Sequence, residues 1–275
     1  MSTQASDLPD TSSSESGAFG SAPLETAQAS TKVPVYWIGR VDGKSALYRE
    51  FLPADPGSDP IQSALQLMTG GKPLDPDYST PWSKASKIAT SISAKNVITV
   101  DLSADAFAKQ TDNATAQLAI QELVYTATGA AANAGLIDSD QSIQVSLLVD
   151  GHTNFAAFDQ VKLDRPISRN PSTQAPIWII DPQQGMVFSG GSITVDGLGP
   201  TSSQNLQWSV QRVEPAGGKV NYQSGTTPIK PNAQGGNFEF VLNPPPGNYE
   251  LLVYRSDPSG NDAMLDLDSK AFTVR

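Results

Sequence analysis

One histidine and a few groups of carboxylates are the residues of this 275-residue chain that could do chemistry. His152 is the single histidine, and it follows Asp150–Gly151 in the stretch SLLVDGHTNF. Asp-Gly pairs favour the positive φ angles of a two-residue hairpin turn, so the pattern predicts that His152 starts the next strand. A catalytic base needs an orienting partner, and a metal site needs several converging ligands. The sequence therefore favours a turn at His152 over a catalytic or metal site.

Four carboxylates in neighbouring loops could in principle form a hydrolytic pair. Paired carboxylates cleave glycosidic bonds, and the residues in question are Asp55, Asp59, Asp75 and Asp77. Three of them precede a proline, which is typical of turns and helix caps. No Gly-x-Ser-x-Gly nucleophile motif occurs in the chain either. We therefore predict no catalytic residue and keep a cell-wall glycoside hydrolase as an alternative.

The acidic stretch SDPSGNDAMLDLD, residues 256–268, offers hard oxygen ligands of the kind that calcium prefers. Asp257, Asn261 and Asp262 are the calcium candidates. The spacing does not fit an EF-hand, and Asp257 begins a standard hairpin turn. Asp266 and Asp268 alternate with leucines, so we expect them on the solvent face of a strand. The favoured prediction is therefore a turn and a strand without a metal ion.

Four aromatic residues are candidates for binding: Tyr36, Tyr48, Tyr78 and Trp82. If exposed, they could stack on sugars or form a protein contact; if buried, they belong to the core. Trp82 follows a proline in a loop, so we expect it to be partly exposed. A carbohydrate-binding module is therefore a further alternative. The edge of the predicted hairpin over residues 33–52 is another plausible docking surface.

The composition excludes several classes of protein. The chain has no cysteine, which removes thiol nucleophiles, disulfides and thiolate metal sites. Its 18 basic and 28 acidic residues give a net charge of −10, which disfavours nucleic acid as a partner. No stretch approaches the roughly 20 apolar residues of a membrane span. The sequence predicts no cofactor.

Residues 1–31 are predicted to be a disordered tether. They contain four acidic residues, no Lys or Arg, and mainly small polar residues. Such a segment cannot repay the entropy of ordering its backbone. One hypothesis is that a signal or lipid anchor has been removed before Met1; the other is an ordinary irregular terminus.

The first folded region, residues 32–169, is predicted to be α+β. Two β-prone runs around Asp42–Gly43 predict a hairpin. Asp59 caps a short amphipathic helix that ends near Gly70, two strands follow, and a long helix of small apolar residues ends at Gly135. SIQVSLLV then alternates as a strand. This order predicts a mixed sheet with helices on one face.

The rest of the chain is predicted to be all-β. Residues 170–176 have the proline-rich, polar composition of a linker. Residues 177–275 contain seven short strand runs separated by turn signals, which is typical of an antiparallel β-sandwich. Trp208 is the expected core residue, and NPPPGNY resembles the entry to a late strand in immunoglobulin-like folds.

Spaced motifs of the first region resemble the GerM-type domain of bacterial sporulation and germination proteins. They are ITVDLS at 98–103, AIQELVYTAT at 119–128, LLVDG at 147–151 and LDRPISR at 163–169. Residues 177–275 resemble the immunoglobulin-like domain that accompanies it, through IWIIDPQQGMVFSGGSITVDG and LQWSVQ. The resemblance implies a secreted or lipid-anchored envelope protein, of a kind also common in actinobacteria, with no family catalytic residues. The GerM-type fold is similar to ring-building domains, which implies a protein-contact role.

Together these observations predict a non-enzymatic, extracytoplasmic binding or scaffold protein of the bacterial cell envelope. The expected partners are envelope proteins or cell-wall polymer. Membrane contact is expected only through an anchor that the chain lacks, because no lipobox cysteine is present. The predicted architecture is a GerM-type α+β domain followed by an immunoglobulin-like β-sandwich.

Overall fold

The chain folds into two regions that share a buried interface. A computed structural model describes residues 31–55, 57–137, 143–232, 235–259 and 263–275. The predicted tether therefore lies outside the described residues except for Thr31. The first region contains β1 (Lys32–Val41), β2 (Lys44–Pro53), α1 (Pro60–Gly70), β3 (Ile88–Ile92), β4 (Val97–Leu102), α2 (Asn113–Asn133), β5 (Gln144–Val149), β6 (Phe155–Ala157) and β7 (Val161–Leu163). The second contains β8 (Trp178–Asp181), β9 (Met186–Phe188), β10 (Ile193–Leu198), β11 (Asn205–Val213), β12 (Lys219–Pro228), β13 (Lys230–Asn232), β14 (Gly235–Leu242), β15 (Gly247–Ser256) and β16 (Met264–Val274).

Both helices begin and end where the sequence predicts. The Asp59 carboxylate caps α1 by accepting from the Ile61 N–H at 2.8 Å. Asp112 caps α2 by accepting from the Thr115 N–H at 2.9 Å. Beyond α2, Gly135 has a φ of 67°, which favours glycine and ends the helix. Neither described helix has the length and hydropathy that crossing a membrane requires.

The first region is α+β, with three separate small sheets among the described residues, of which the pair β6-β7 is the smallest. Strands β3 and β4 are antiparallel and β4 and β5 are parallel, so the predicted mixed sheet is confirmed for these three strands. Strands β1 and β2 form a hairpin of their own instead of joining that sheet. Each helix contacts both β1 and a strand of the three-stranded sheet. Every residue from Val33 to Gly39 is buried as a result.

The second region is a β-sandwich. Its sheets have the orders β13-β14-β10-β8 and β12-β11-β15-β16-β9, and their inner faces bury Trp208 as predicted. The first order corresponds to the ABED sheet of the immunoglobulin fold; in the second, β12-β11-β15-β16 follow the order C′CFG, and β9 is an additional strand paired in parallel with β16. The Tyr249 hydroxyl donates to the Pro245 carbonyl at 2.8 Å, as in the tyrosine corner of that fold. Relationship to the immunoglobulin-like family stays a prediction.

Nine strands replace the seven predicted runs of the sandwich. The run MVFSGGSITVDG divides into β9 and β10, which lie in different sheets. Strand β13 was not predicted, because its three residues include a proline.

The segment 170–176, predicted to be a linker, is attached to the first region. The Tyr125 hydroxyl donates to the Asn170 carbonyl at 2.9 Å, and the Ala175 N–H donates to the Leu47 carbonyl at 3.0 Å. Trp178, which opens the sandwich, packs into the core of the first region. The hydrophobic core therefore crosses the predicted boundary.

Candidate functional site

The predicted turn at Asp150–Gly151 is present and His152 is exposed beside it, but the next strand, β6, begins at Phe155 and not at His152. Val149 and His152 pair as an isolated bridge, and the intervening Asp150 and Gly151 have φ angles of 49° and 78°. Within the described part of the chain, no three His, Cys, Asp or Glu residues are arranged to hold a metal ion. The turn accounts for the position of His152 in the fold.

The four aromatic binding candidates are buried. Their side chains are 1%, 2%, 8% and 1% exposed for Tyr36, Tyr48, Tyr78 and Trp82. The prediction that Trp82 is partly exposed is wrong, because the proline loop folds back over α2. The Trp82 indole N–H donates to the Ala119 carbonyl at 3.2 Å, and its ring packs against Phe107 and Phe158. No solvent-borne ligand can stack on these four rings in this conformation.

The calcium candidates are only partly described. Asp257 accepts from the Ser259 N–H at 2.8 Å, which is the hydrogen bond of the predicted turn. Asn261 and Asp262 lie outside the described residues. The expectation that Asp266 and Asp268 face solvent is wrong: both are buried on one face of β16. Asp266 pairs with Arg255, and Asp268 belongs to the junction between the two regions.

Five polar side chains meet at that junction, and we call them the interface cluster: Glu50, Asp75, Tyr78, Asp268 and Lys270. The first three come from β2 and the loop after α1, and the last two come from β16. All five are buried. Successive side chains of β16 point to opposite faces, and its even-numbered positions from Asp266 onward are buried. Asp268 and Lys270 are therefore both directed toward the first region.

Lys270 is the centre of the interface cluster. Its ammonium donates to the Asp75 carboxylate at 2.7 Å and to the Tyr78 hydroxyl at 2.6 Å, and it lies 3.4 Å from Asp268. Tyr78 in turn donates to Asp268 at 3.1 Å, and Asp268 also accepts from the Ile179 N–H at 2.7 Å. The charged groups of Lys270 and Asp268 are thus hydrogen-bonded both across the junction, to Asp75 and Tyr78, and within the sandwich.

The ionisation of the interface cluster follows from its burial. Burial alone would lower the pKa of Lys270, but the neighbouring carboxylates of Asp268 and Asp75 outweigh it and raise that pKa. Burial raises the pKa of Asp268, and Lys270 opposes the rise. Burial also raises the pKa of Glu50, although its carboxylate accepts from the Leu74 and Asp75 N–H groups at 2.8 Å each. Lys270 thus stays cationic and is held by carboxylates.

This arrangement gives Asp75 a structural role. Its Oδ2 accepts from Lys270 at 2.7 Å and its Oδ1 accepts from the Asp77 N–H at 3.1 Å, so each carboxylate oxygen has a donor within the protein. Asp59 caps α1, as the sequence predicted. Two of the carboxylates considered for hydrolysis thus have structural roles: Asp75 pairs with Lys270, and Asp59 caps α1.

Further contacts hold the two regions together around the interface cluster. The Phe51 N–H donates to the Gln183 side chain at 2.9 Å. The Asp266 N–H donates to the Asp42 carboxylate at 3.0 Å. The Arg49 guanidinium lies 5.6 Å from the Trp178 ring centroid. The contacts span the length of the hairpin, from its turn to its open end.

A second feature is a groove of about 700 Å³ on the first region. We call it the basic groove. It is bordered by the first half of α2, residues 161–173 and the β1–β2 turn. Its charged lining residues are Lys44, Lys162 and Arg165, and no described residue that lines it is acidic. The sequence predicted neither the basic groove nor the interface cluster, because the residues of each are far apart in the chain. One signal for the cluster was available: Asp268 and Lys270 have opposite charges and share a strand face with the apolar Phe272.

Comparison with known proteins identifies the first region. The family model described as Germane, sporulation and spore germination, matches residues 34–155. No curated protein sequence matches the chain. Similar solved structures include the tandem GerMN domains of the sporulation protein GerM from Bacillus subtilis, with 20% identity over 54% of this chain and 50% of that one, at a TM-score of 0.39. The first GerMN domain of the same protein has 14% identity over 52% of this chain and 99% of that one, at a TM-score of 0.38.

This chain thus spans half the length of the tandem GerMN structure. The family match covers both helices, nearly all of the hairpin and the three-stranded sheet, and it ends at Phe155, the first residue of β6. Residues 34–155 of this chain are therefore a GerM-type domain of the sporulation and spore germination family.

Proposed function

We propose that this chain is a non-enzymatic, extracytoplasmic scaffold or binding module of the bacterial cell envelope, in which the two regions act as one rigid unit. The observation that carries the proposal is the interface cluster. A buried ion pair separates only at a large cost in free energy, so the relative orientation of the regions is fixed. A fixed orientation lets two surfaces engage a partner together without a further ordering cost.

The envelope location is proposed from the GerM-type domain and from the acidic, polar composition of residues 1–31. Among the carboxylates considered for hydrolysis, Asp55, Asp59 and Asp77 are exposed and Asp75 is buried, so only Asp75 is withdrawn from the surface by packing. Asp75 is committed to Lys270, and Trp82 is committed to the core. These contacts withdraw Asp75 from a hydrolytic pair and Trp82 from a sugar-stacking surface.

Fractionation and binding test the proposal together. We expect an epitope-tagged chromosomal copy to fractionate with the envelope, and the purified chain to sediment with envelopes isolated from the same organism. Incubation with peptidoglycan should release no soluble fragments. Release of fragments that stops on Asp77→Asn substitution, or recovery of the tagged chain with cytoplasmic markers, would overturn the proposal.

The rigidity of the unit is tested separately. Lys270→Met should loosen the junction and weaken envelope sedimentation, whereas Lys219→Met removes a lysine from the sandwich surface and should not. Equal binding by both variants would show that the fixed arrangement is not needed.

A further inference from the structure

The basic groove has a charge opposite to that of the chain. The net charge is −10, yet the three charged residues that line the groove are all cations. We propose that the basic groove binds an oligomeric anion of the phosphodiester-linked polyol type, with its phosphates at the lysines and the arginine. This inference rests on the proposed envelope function and names the ligand class for it.

The cations of the groove are available to a ligand. Lys44 and Arg165 are exposed and make no side-chain hydrogen bond or ion pair with any described residue. Lys162 lies 3.5 Å from Asp164, with side chains 67% and 42% exposed. An exposed pair of this kind contributes little, so a phosphate can replace the carboxylate at Lys162. The carboxylate of Asp112, near the start of α2, is engaged by the N–H and hydroxyl of Thr115.

The wall between the cations is preformed. The Gln121 side chain donates to the Ser168 carbonyl at 3.1 Å and accepts from the Asn170 N–H at 2.8 Å. These two bonds brace α2 against the segment that carries Arg165. Gln117 and Thr115 add polar groups along the same helix face. A braced groove needs little reordering on binding, which favours affinity.

The lining distinguishes among polyanions. No described residue that lines the groove is aromatic, so the groove has no platform on which nucleic-acid bases could stack. A polyol phosphate needs only cations at intervals, with amide and hydroxyl groups between them for its own hydroxyls. The groove lining supplies both kinds of group, since it combines three cations with Gln, Thr, Ser and Asn side chains.

Two double variants that change the net charge by the same amount test the groove. The full chain is titrated with purified poly(glycerol phosphate), and the variant Lys44→Gln/Arg165→Gln is compared with the control Lys95→Gln/Lys230→Gln. Each pair removes two exposed positive charges, and Lys95 and Lys230 lie outside the groove. We expect the groove variant to bind about tenfold more weakly and with a shallower dependence on salt, because two phosphate contacts are lost. The control should bind within about twofold of the unaltered chain.

Three results would overturn the inference: equal weakening by both pairs, absence of polymer binding by the unaltered chain, or tighter binding of a glutamate-rich peptide than of the polymer. Unchanged melting temperatures confirm that both variants fold. Sedimentation with isolated envelopes separates the two proposals. If the chain binds envelopes but not the polymer, the groove inference fails alone; if it binds no envelope, the proposed function fails.

Discussion

Lys270 and Asp75 lie 195 positions apart in the sequence, and their charged atoms are 2.7 Å apart, with side chains only 3% and 6% exposed. The pair joins the last strand of the sandwich to the loop after the first helix of the GerM-type domain. Desolvating two charges is costly, and here the cost is offset by the Tyr78 hydroxyl and by Asp268. The junction between the regions therefore depends on this network staying complete.

Lys270→Met is expected to destabilise the chain strongly. The substitution keeps the length and the apolar part of the side chain but leaves Asp75 and Asp268 buried without their cation. Breaking a buried ion pair in this way costs about 3–5 kcal/mol. Urea unfolding followed by circular dichroism measures the loss as a shift of the midpoint at unchanged slope.

The matched control for that substitution is Lys219→Met. Lys219 pairs with Glu250 at 2.6 Å, but its side chain is 48% exposed, so we expect a loss below about 1 kcal/mol. Adding Asp75→Asn to Lys270→Met should recover part of the stability, because one stranded carboxylate is removed. Equal losses for the two lysine variants would contradict the role given to the interface cluster.

Glu122→Gln is expected to stabilise the chain at neutral pH. Glu122 is fully buried in α2, and its carboxylate oxygens make no hydrogen bond with the described residues. Burial raises its pKa well above the usual value, and the nearby groups of Thr80, Lys109 and Trp82 oppose this only in part. Because the pKa of Glu122 is higher in the folded protein than in the unfolded chain, its full contribution to the free energy of unfolding is present below the unfolded pKa of about 4.3. That contribution decreases as the pH rises above this value.

The measurement for Glu122 is therefore the difference in unfolding free energy between the two proteins across pH. The glutamine variant should be the more stable one at pH 7, and its advantage should vanish near pH 4. Glu214→Gln, at an exposed site, controls for the loss of one negative charge. An advantage that does not change with pH would rule out the buried carboxyl as its cause.

Asp196 is expected to titrate far above an ordinary aspartate. Strand pairing places it beside Asp181 on β8 and Glu239 on β14. Burial, followed by these two carboxylates, raises the pKa of Asp196 to about 6, against about 3.9 for a model aspartate. Its contribution to stability is therefore complete below about pH 4 and is lost as the pH approaches 6.

NMR titration of the Asp196 carboxyl carbon measures this pKa directly. Asp181→Asn and Glu239→Gln should each lower it, because each removes a neighbouring negative charge. Asp196→Asn should abolish the loss of stability between about pH 4 and pH 6. An Asp196 pKa that does not respond to either neighbour would contradict the cross-strand repulsion.

The sequence determines the helices and the turn at His152 well, because local signals set them. Asp59 and Gly135 fix their helix ends by capping and by backbone conformation, and both effects act within one helical turn. The buried face of β16 could not be predicted in the same way. Asp266 and Asp268 alternate with leucines as they would in a strand facing water. Partners from distant segments, Asp75 at Lys270, Tyr78 at Asp268 and Asp42 at Asp266, make the polar face the buried one.

The burial of the four aromatic candidates also depends on contacts with distant residues, so the sequence could not predict it. Trp82 provides a test of that burial. Its indole is 1% exposed, donates to Ala119 and packs against Phe107, so Trp82→Ala should cost about 3–5 kcal/mol in urea unfolding. Tyr222→Ala is the control, because Tyr222 is exposed at the sandwich edge and should cost less than about 1 kcal/mol. The emission of the chain should also be blue-shifted and insensitive to iodide and to glycan fragments, since all four tryptophans are buried. Quenching by glycan fragments that disappears in Trp82→Phe would instead place Trp82 at a ligand surface, and it would restore the carbohydrate-binding alternative.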